Sequence, residues 1–160
     1  MTQKSSLHII KKVNPNKCNK LVDLLYNNFI DLATYKELAH NKQELTRLVT
    51  NEKAKIIFLM INEKIAAYLV GEEKDLADGR RVFYISYLYT AKQFRGKGLA
   101  SKLINYVEEL ANKSNYDGVL LTCDTEDEKV HEFYVTRGYM ADLVLRNYGK
   151  FDVLYKESRH

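Results

Sequence analysis

The sequence predicts an α/β domain with a mixed central sheet of about six to seven strands, flanked by about four helices. Three observations carry this reading. Short continuous apolar runs alternate along the chain with segments of helical spacing. The run at 82–90 is apolar or aromatic at nearly every position, as in a central strand covered on both faces. A glycine-bearing turn follows it and opens the best amphipathic helix of the chain.

In chain order, 7–10 reads as a strand. Leu21, Val22, Leu24, Leu25, Phe29, Ile30 and Leu32 recur at helical spacing and place a helix at about 17–32. Leu45, Leu48 and Val49 form a narrow apolar stripe on a more polar helix near 41–50. Strands at about 54–61 and 64–72 follow, joined at Asn62-Glu63, where asparagine tolerates the left-handed conformation of a tight turn. Asp78-Gly79 marks the next hairpin turn and opens the strand at 81–90. Beyond Arg95-Gly96-Lys97-Gly98, residues Leu99, Leu103, Ile104, Val107, Leu110 and Ala111 define the apolar face of a helix.

Asp117-Gly118 ends that connection, and 119–123 reads as a buried strand. Thr125-Glu126-Asp127-Glu128 is a capping box, and its three acids suit the positive end of a helix dipole. The helix carries Val130, Phe133 and Tyr134, with Phe133 the better core candidate, and stops at Gly138. Strands at about 139–146 and 150–156 complete the order β-α-α-β-β-β-α-β-α-β-β, without internal repeats or low-complexity tracts.

Length and composition bound the function. One domain spanning 1–160 is expected from 160 residues, 46% of them hydrophobic and 29% charged, which excludes a disordered or collagen-like chain. The longest apolar run, at 56–61, is far short of the roughly 20 residues of a membrane helix. The first six residues lead into no signal-peptide core, so a soluble, cytoplasmic protein is expected. The net charge of +4 suits an anionic ligand but is too diffuse for nucleic acid. Cys18 and Cys123 lack a CxxC partner, and His8, His40, His131 and His160 lack metal-ligand spacing, so no metal is expected.

The chemistry lies in the strand, glycine loop and helix across 82–111. A glycine turn at a helix N-terminus presents backbone N–H groups and the positive helix end together, which suits a phosphate or pyrophosphate. Gly96 and Gly98 carry no side chain to hold such a group off, and Lys92, Arg95 and Lys97 add positive charge. GxxxxGK[ST] is absent, and GxGxxG fails at Ser101. What matches is [RQ]xxGx[GA], which fits both as Arg95 to Ala100 and, one register earlier, as Gln93 to Gly98. Downstream, the segment from Val130 to Tyr139 looks like A-x-x-F-Y-x-x-x-G-F, with Val130 in place of the Ala and Tyr139 in place of the final Phe, both conservative changes. The two segments at this separation resemble the GNAT superfamily of acyl-CoA-dependent N-acetyltransferases.

That resemblance implies acetyl-CoA as co-substrate. It implies that the backbone of Leu88, Tyr89 and Thr90 pairs with the pantetheine arm. The pyrophosphate would be held by the amides of Arg95, Gly96, Lys97, Gly98, Leu99, Ala100 and Ser101. Tyr134 would protonate the leaving thiolate, which is favourable for a phenol of pKa about 10 and a thiol of pKa about 8.5. Asp127 stands where the family often has a cofactor-contacting Asn, so no cofactor role is carried onto it.

The base that deprotonates the incoming amine has no family match. Asp124 is the sequence candidate, beside a water relay past backbone carbonyls. Cys123 reads as an inert buried thiol, because no basic partner adjoins it in sequence. His131 reads as a solvated helix residue. Direct attack in a ternary complex on an amine, first a small molecule, is therefore the expected reaction. A protein lysine or N-terminal amine, or an acyl-CoA sensor without turnover, are the alternatives. The closing strands at 139–156 could pair two copies in a dimer, as they do in some relatives.

Overall fold

Continuous apolar runs build the sheet. In the computed structural model, which describes residues 5–10, 46–47, 50, 53–62, 64–124, 128–142, 144–145 and 151–159, seven strands and two α-helices lie wholly among the described residues. They are β1 (Ser5–Ile10), β2 (Ala54–Ile61), β3 (Lys64–Asp75), β4 (Arg81–Thr90), α1 (Leu99–Lys113), β5 (Gly118–Asp124), α2 (Glu128–Val135), β6 (Met140–Ala141) and β7 (Phe151–Glu157), with a 3₁₀ turn at Lys92–Phe94 before α1. The strands pair in the order β1-β2-β3-β4-β5-β7-β6. β4 and β5 are parallel, and the β1–β2, β2–β3, β5–β7 and β6–β7 ladders are antiparallel, so the sheet is mixed. The helix expected at 17–32 lies outside the described residues. Of the one expected near 41–50, Thr46, Arg47 and Thr50 are described, and they are helical.

The chain forms two compact units, Met1–Glu72 with Tyr87–Leu103, and Glu73–Ser86 with Ile104–His160. In the first, Ile56, Ile57, Leu59 and the whole run Ala66 to Val70 are buried, as unalternating apolar strands must be. Asn62, with φ of 50°, makes the left-handed turn between β2 and β3. In the second, Val82, Leu120 and Val153 pack together, with Leu76, Tyr84, Leu145 and Tyr155 around them. Leu99, Leu103, Ile104, Val107 and Ala111 of α1 are buried as the spacing predicts, while Leu110 is half-buried.

Four expectations are corrected. β3 runs on to Asp75 rather than ending at 72, because Arg81 pairs with Glu73 and Asp75 and gives the charged end of the strand a partner. β6 covers two residues rather than 139–146. There the Asp142 carboxylate accepts the Leu145 amide at 2.7 Å and is itself gripped by Arg80, which turns the chain out of the ladder. β5 starts at Gly118, where a Cβ would lie 2.5 Å from the Tyr155 ring and the Lys156 carbonyl. On α2, Phe133 is half-buried beneath the Arg137 guanidinium, and it is Tyr134 that reaches the core, at 5% exposure. No helix among the described residues is long and apolar enough to cross a membrane.

Candidate functional site

The glycine loop belongs to the first unit. β4 ends at Thr90, and one 3₁₀ turn later the chain enters Arg95-Gly96-Lys97-Gly98, all four exposed. Gly96 and Gly98 have φ of 79° and 75°, a left-handed backbone that a side chain would strain. A Cβ built at either glycine meets nothing within 4 Å, so both face an open cradle. The first helical bond runs from Lys102 N–H to the Gly98 carbonyl, which leaves the amides of Gly96, Gly98, Leu99 and Ala100 without a backbone partner among the described residues. Converging N–H groups at the positive end of a 15-residue helix suit an anion of the size of a pyrophosphate. The Arg95 side chain turns back, its Nε donating to the Thr90 carbonyl at 3.2 Å, and so braces the loop against the strand end.

Beside this strand, one face carries aromatic rings and one buried carboxylate. Tyr89 stacks on Tyr68 of β3, with ring centroids 5.1 Å apart. Burial first, then the charges of Tyr89 and Tyr87, push the Tyr68 phenol well above its ordinary pKa. Glu72, four residues along β3 and so on the same face as Tyr68, is the one charged side chain in the core of the described residues, at 3% exposure. The half-exposed Arg47 reaches it, Nη2 to Oε1 at 3.3 Å. A carboxylate placed so can hold a cation. Sequence reasoning missed Glu72 because the strand was expected to end there, where an acid reads as solvated. The helical placement of Arg47 opposite a strand acid was the available signal.

The second unit holds the other expected residues. Tyr134 is buried on α2, its ring edge-on to both Phe133 and Tyr139. Burial chiefly, with Cys123 adding and Arg137 opposing, raises its pKa, so the phenol is held as an acid at neutral pH. Cys123 is buried on β5, directly across from Asp152 on β7. His131 is not purely solvated, for its Nε2 lies 3.5 Å from the Asp152 carboxylate. The backbone of Asp124 ends β5 opposite Phe151. Thr125 and Asp127 lie outside the described residues, and α2 begins with Glu128, an acid at the positive helix end.

The structure therefore brings Leu88, Tyr89 and Thr90 together with the loop Arg95 to Ser101 in one unit, and Tyr134 with the end of β5 in the other.

Comparisons with known proteins agree in kind. Arabidopsis thaliana NAA60, solved in complex with acetyl-CoA, superposes with a TM-score of 0.73 at 13% identity, covering 96% of this chain and 98% of that one. The ribosomal-protein-S18-alanine N-acetyltransferase of Escherichia coli gives 0.72 at 12%, covering 97% and 93%. An aminoglycoside acetyltransferase from an uncultured soil metagenomic sample gives 0.64 at 22%, covering 91% and 98%. At these identities the likeness is one of fold. A family model described as the acetyltransferase (GNAT) family matches residues 20–139, three quarters of the sequence, and includes the glycine loop and Tyr134. With the loop, the strand before it and the matched span all in accord, the chain belongs to the GNAT acetyltransferase family.

Proposed function

We propose that the protein is an N-acetyltransferase that moves the acetyl group of acetyl-CoA to the amine of a small molecule. The observation that carries this is the loop: two left-handed glycines, open space where their Cβ atoms would stand, and unpaired amides at the start of α1. In this reading the loop amides hold the pyrophosphate, and the backbone of Leu88, Tyr89 and Thr90 aligns the pantetheine arm. The amine attacks the thioester carbonyl directly, because no activated nucleophile is placed for a covalent intermediate among the described residues. Tyr134 gives its proton to the departing thiolate. Asp124 is the proposed base for the incoming ammonium, and Glu72 is the second carboxylate to test in that role.

Thermal unfolding with and without acetyl-CoA, in the wild type and in Gly98→Glu, tests the cofactor site. Ligand at 100 times its dissociation constant stabilises by about 2.7 kcal/mol, and the variant should lose that gain. No stabilisation at millimolar acetyl-CoA would overturn the reading. A panel of amines, scored by released CoA, then identifies the acceptor. The likeness to the S18-alanine enzyme favours a protein amine as second reading, so peptides with free N-termini belong in the panel. Stabilisation without CoA release from any amine would instead indicate a sensor.

A further inference from the structure

Between the second half of α1 and the outgoing end of β7, the second unit holds a cleft of about 390 Å³, with no part in the acetyl transfer proposed above. Its walls carry charge of both signs. Lys156 Nζ lies 2.6 Å from Glu108 Oε1, and these two neutralise each other. Glu109, Glu157 and Arg159 remain, none in an ion pair among the described residues and all exposed. Asn112 Oδ1 accepts the Arg159 amide at 2.7 Å, which fixes Arg159 at the cleft and leaves the Asn112 NH₂ as a donor. Ser158 Oγ, also in the wall, is buried without a hydrogen-bond partner.

We propose that this cleft is a second small-molecule site and takes a zwitterion the size of a free amino acid or a dipeptide. The carboxylate docks on Arg159, whose planar guanidinium can donate two parallel N–H bonds to it, with the Asn112 NH₂ beside it. The ammonium docks on Glu109. The volume sits at the low end of the roughly 300–1,000 Å³ of small-ligand pockets, which sets the size of the guest. Glu109 and Glu157 repel a phosphate or any other multiply charged anion, and a cation without a carboxylate leaves Arg159 with no partner. A guest with one charge of each sign answers both walls.

Calorimetric titration of L-alanyl-L-alanine into the full chain, without acetyl-CoA, tests this independently of any transferase activity. Saturable binding is expected. N-acetylating the dipeptide removes its ammonium, and amidating it removes its carboxylate; each should weaken binding about tenfold or more. Arg159→Gln should abolish the discrimination against the amide, and Glu109→Gln the discrimination against the acetylated form. Both side chains are exposed, so neither variant threatens the fold. No heat up to about 10 mM dipeptide, capped forms that bind as well as the parent, or wild-type binding in both variants would each overturn the proposal. The last outcome would mean that the dipeptide binds elsewhere on the protein.

Discussion

Tyr139 stands edge-on to Tyr134, ring centroids 5.3 Å apart, and the same two residues are joined through the backbone, Tyr139 N–H donating to the Tyr134 carbonyl at 3.1 Å. Gly138 N–H donates to the Val135 carbonyl at 3.0 Å, with Gly138 at φ 94°. These two bonds, the left-handed glycine and the apolar contact that spans it form a Schellman end to α2. Tyr134 is thus fixed by its carbonyl and its ring at once. Gly138→Ala tests the arrangement. A Cβ there meets Lys156 Cε at 3.5 Å, an ordinary contact, so its cost is that of the left-handed backbone, about 1–2 kcal/mol. The unfolding temperature should fall by roughly 2–8 °C. An unchanged temperature would show that the helix end does not depend on glycine.

Tyr134→Phe separates chemistry from packing. The ring contacts survive in phenylalanine, so the unfolding temperature should stay close to that of the wild type. Loss of the phenolic proton should lower kcat about 10²–10⁴-fold, the range of a positioned general acid. Burial raises the Tyr134 pKa, so its acid form persists at least to the ordinary phenol value of about 10. Any fall in rate between neutral pH and that value therefore belongs to another group and should persist in the variant. Wild-type turnover in Tyr134→Phe would remove this residue from the reaction.

Much of this was legible because local rules and the fold point the same way. β2 and β4 begin and end where the apolar runs do, and Asn62, Gly79 and Gly138 take the left-handed turns that their residue types allow. The loop was readable because glycine pairs before a helix have a direct physical use. Illegible were features decided by partners distant in sequence. Asp142 ends β6 because Arg80, 62 residues earlier, grips it. Glu72 is buried because the sheet continues past it. Tyr134 rather than Phe133 enters the core because Tyr139 receives it, a contact that helical periodicity alone does not rank.

Asp142→Asn probes the first of these long-range pairs. Its carboxylate accepts Arg80 Nη1 at 2.8 Å and Nη2 at 3.0 Å, besides the Leu145 amide. The Arg80 bonds chiefly, against opposing burial, hold the carboxyl below the usual range. A depressed acid stabilises the fold above its unfolded pKa of about 3.9 and ceases to do so as pH falls through its lower folded value. The variant should therefore lose about 1–3 kcal/mol at neutral pH, since Arg80 keeps Asp78 as a partner. It should also show a shallower acid limb in urea midpoints measured below pH about 5. Equal acid limbs in both proteins would show that this pair does not contribute to acid unfolding.

At the alkaline end the tyrosines act in the opposite sense. Tyr116 donates to Glu73 Oε2 at 3.1 Å, and burial, that bond and the Glu73 charge push its pKa up to about 12. Burial raises Tyr68, Tyr134 and Tyr139 in the same direction; Tyr139 also faces the charge of Glu108. The folded chain keeps these protons where the unfolded chain, with phenols near pH 10, releases them. Stability is then complete below about pH 10 and drains away as the pH rises toward 12. Urea midpoints should hold steady from neutrality to about pH 9.5 and drop steeply above it. Tyr116→Phe should remove part of that slope while Glu73 keeps its contact with Arg81 at 3.1 Å. Midpoints that stay level above pH 10 would mean that these phenols ionise as freely in the fold as in the unfolded chain.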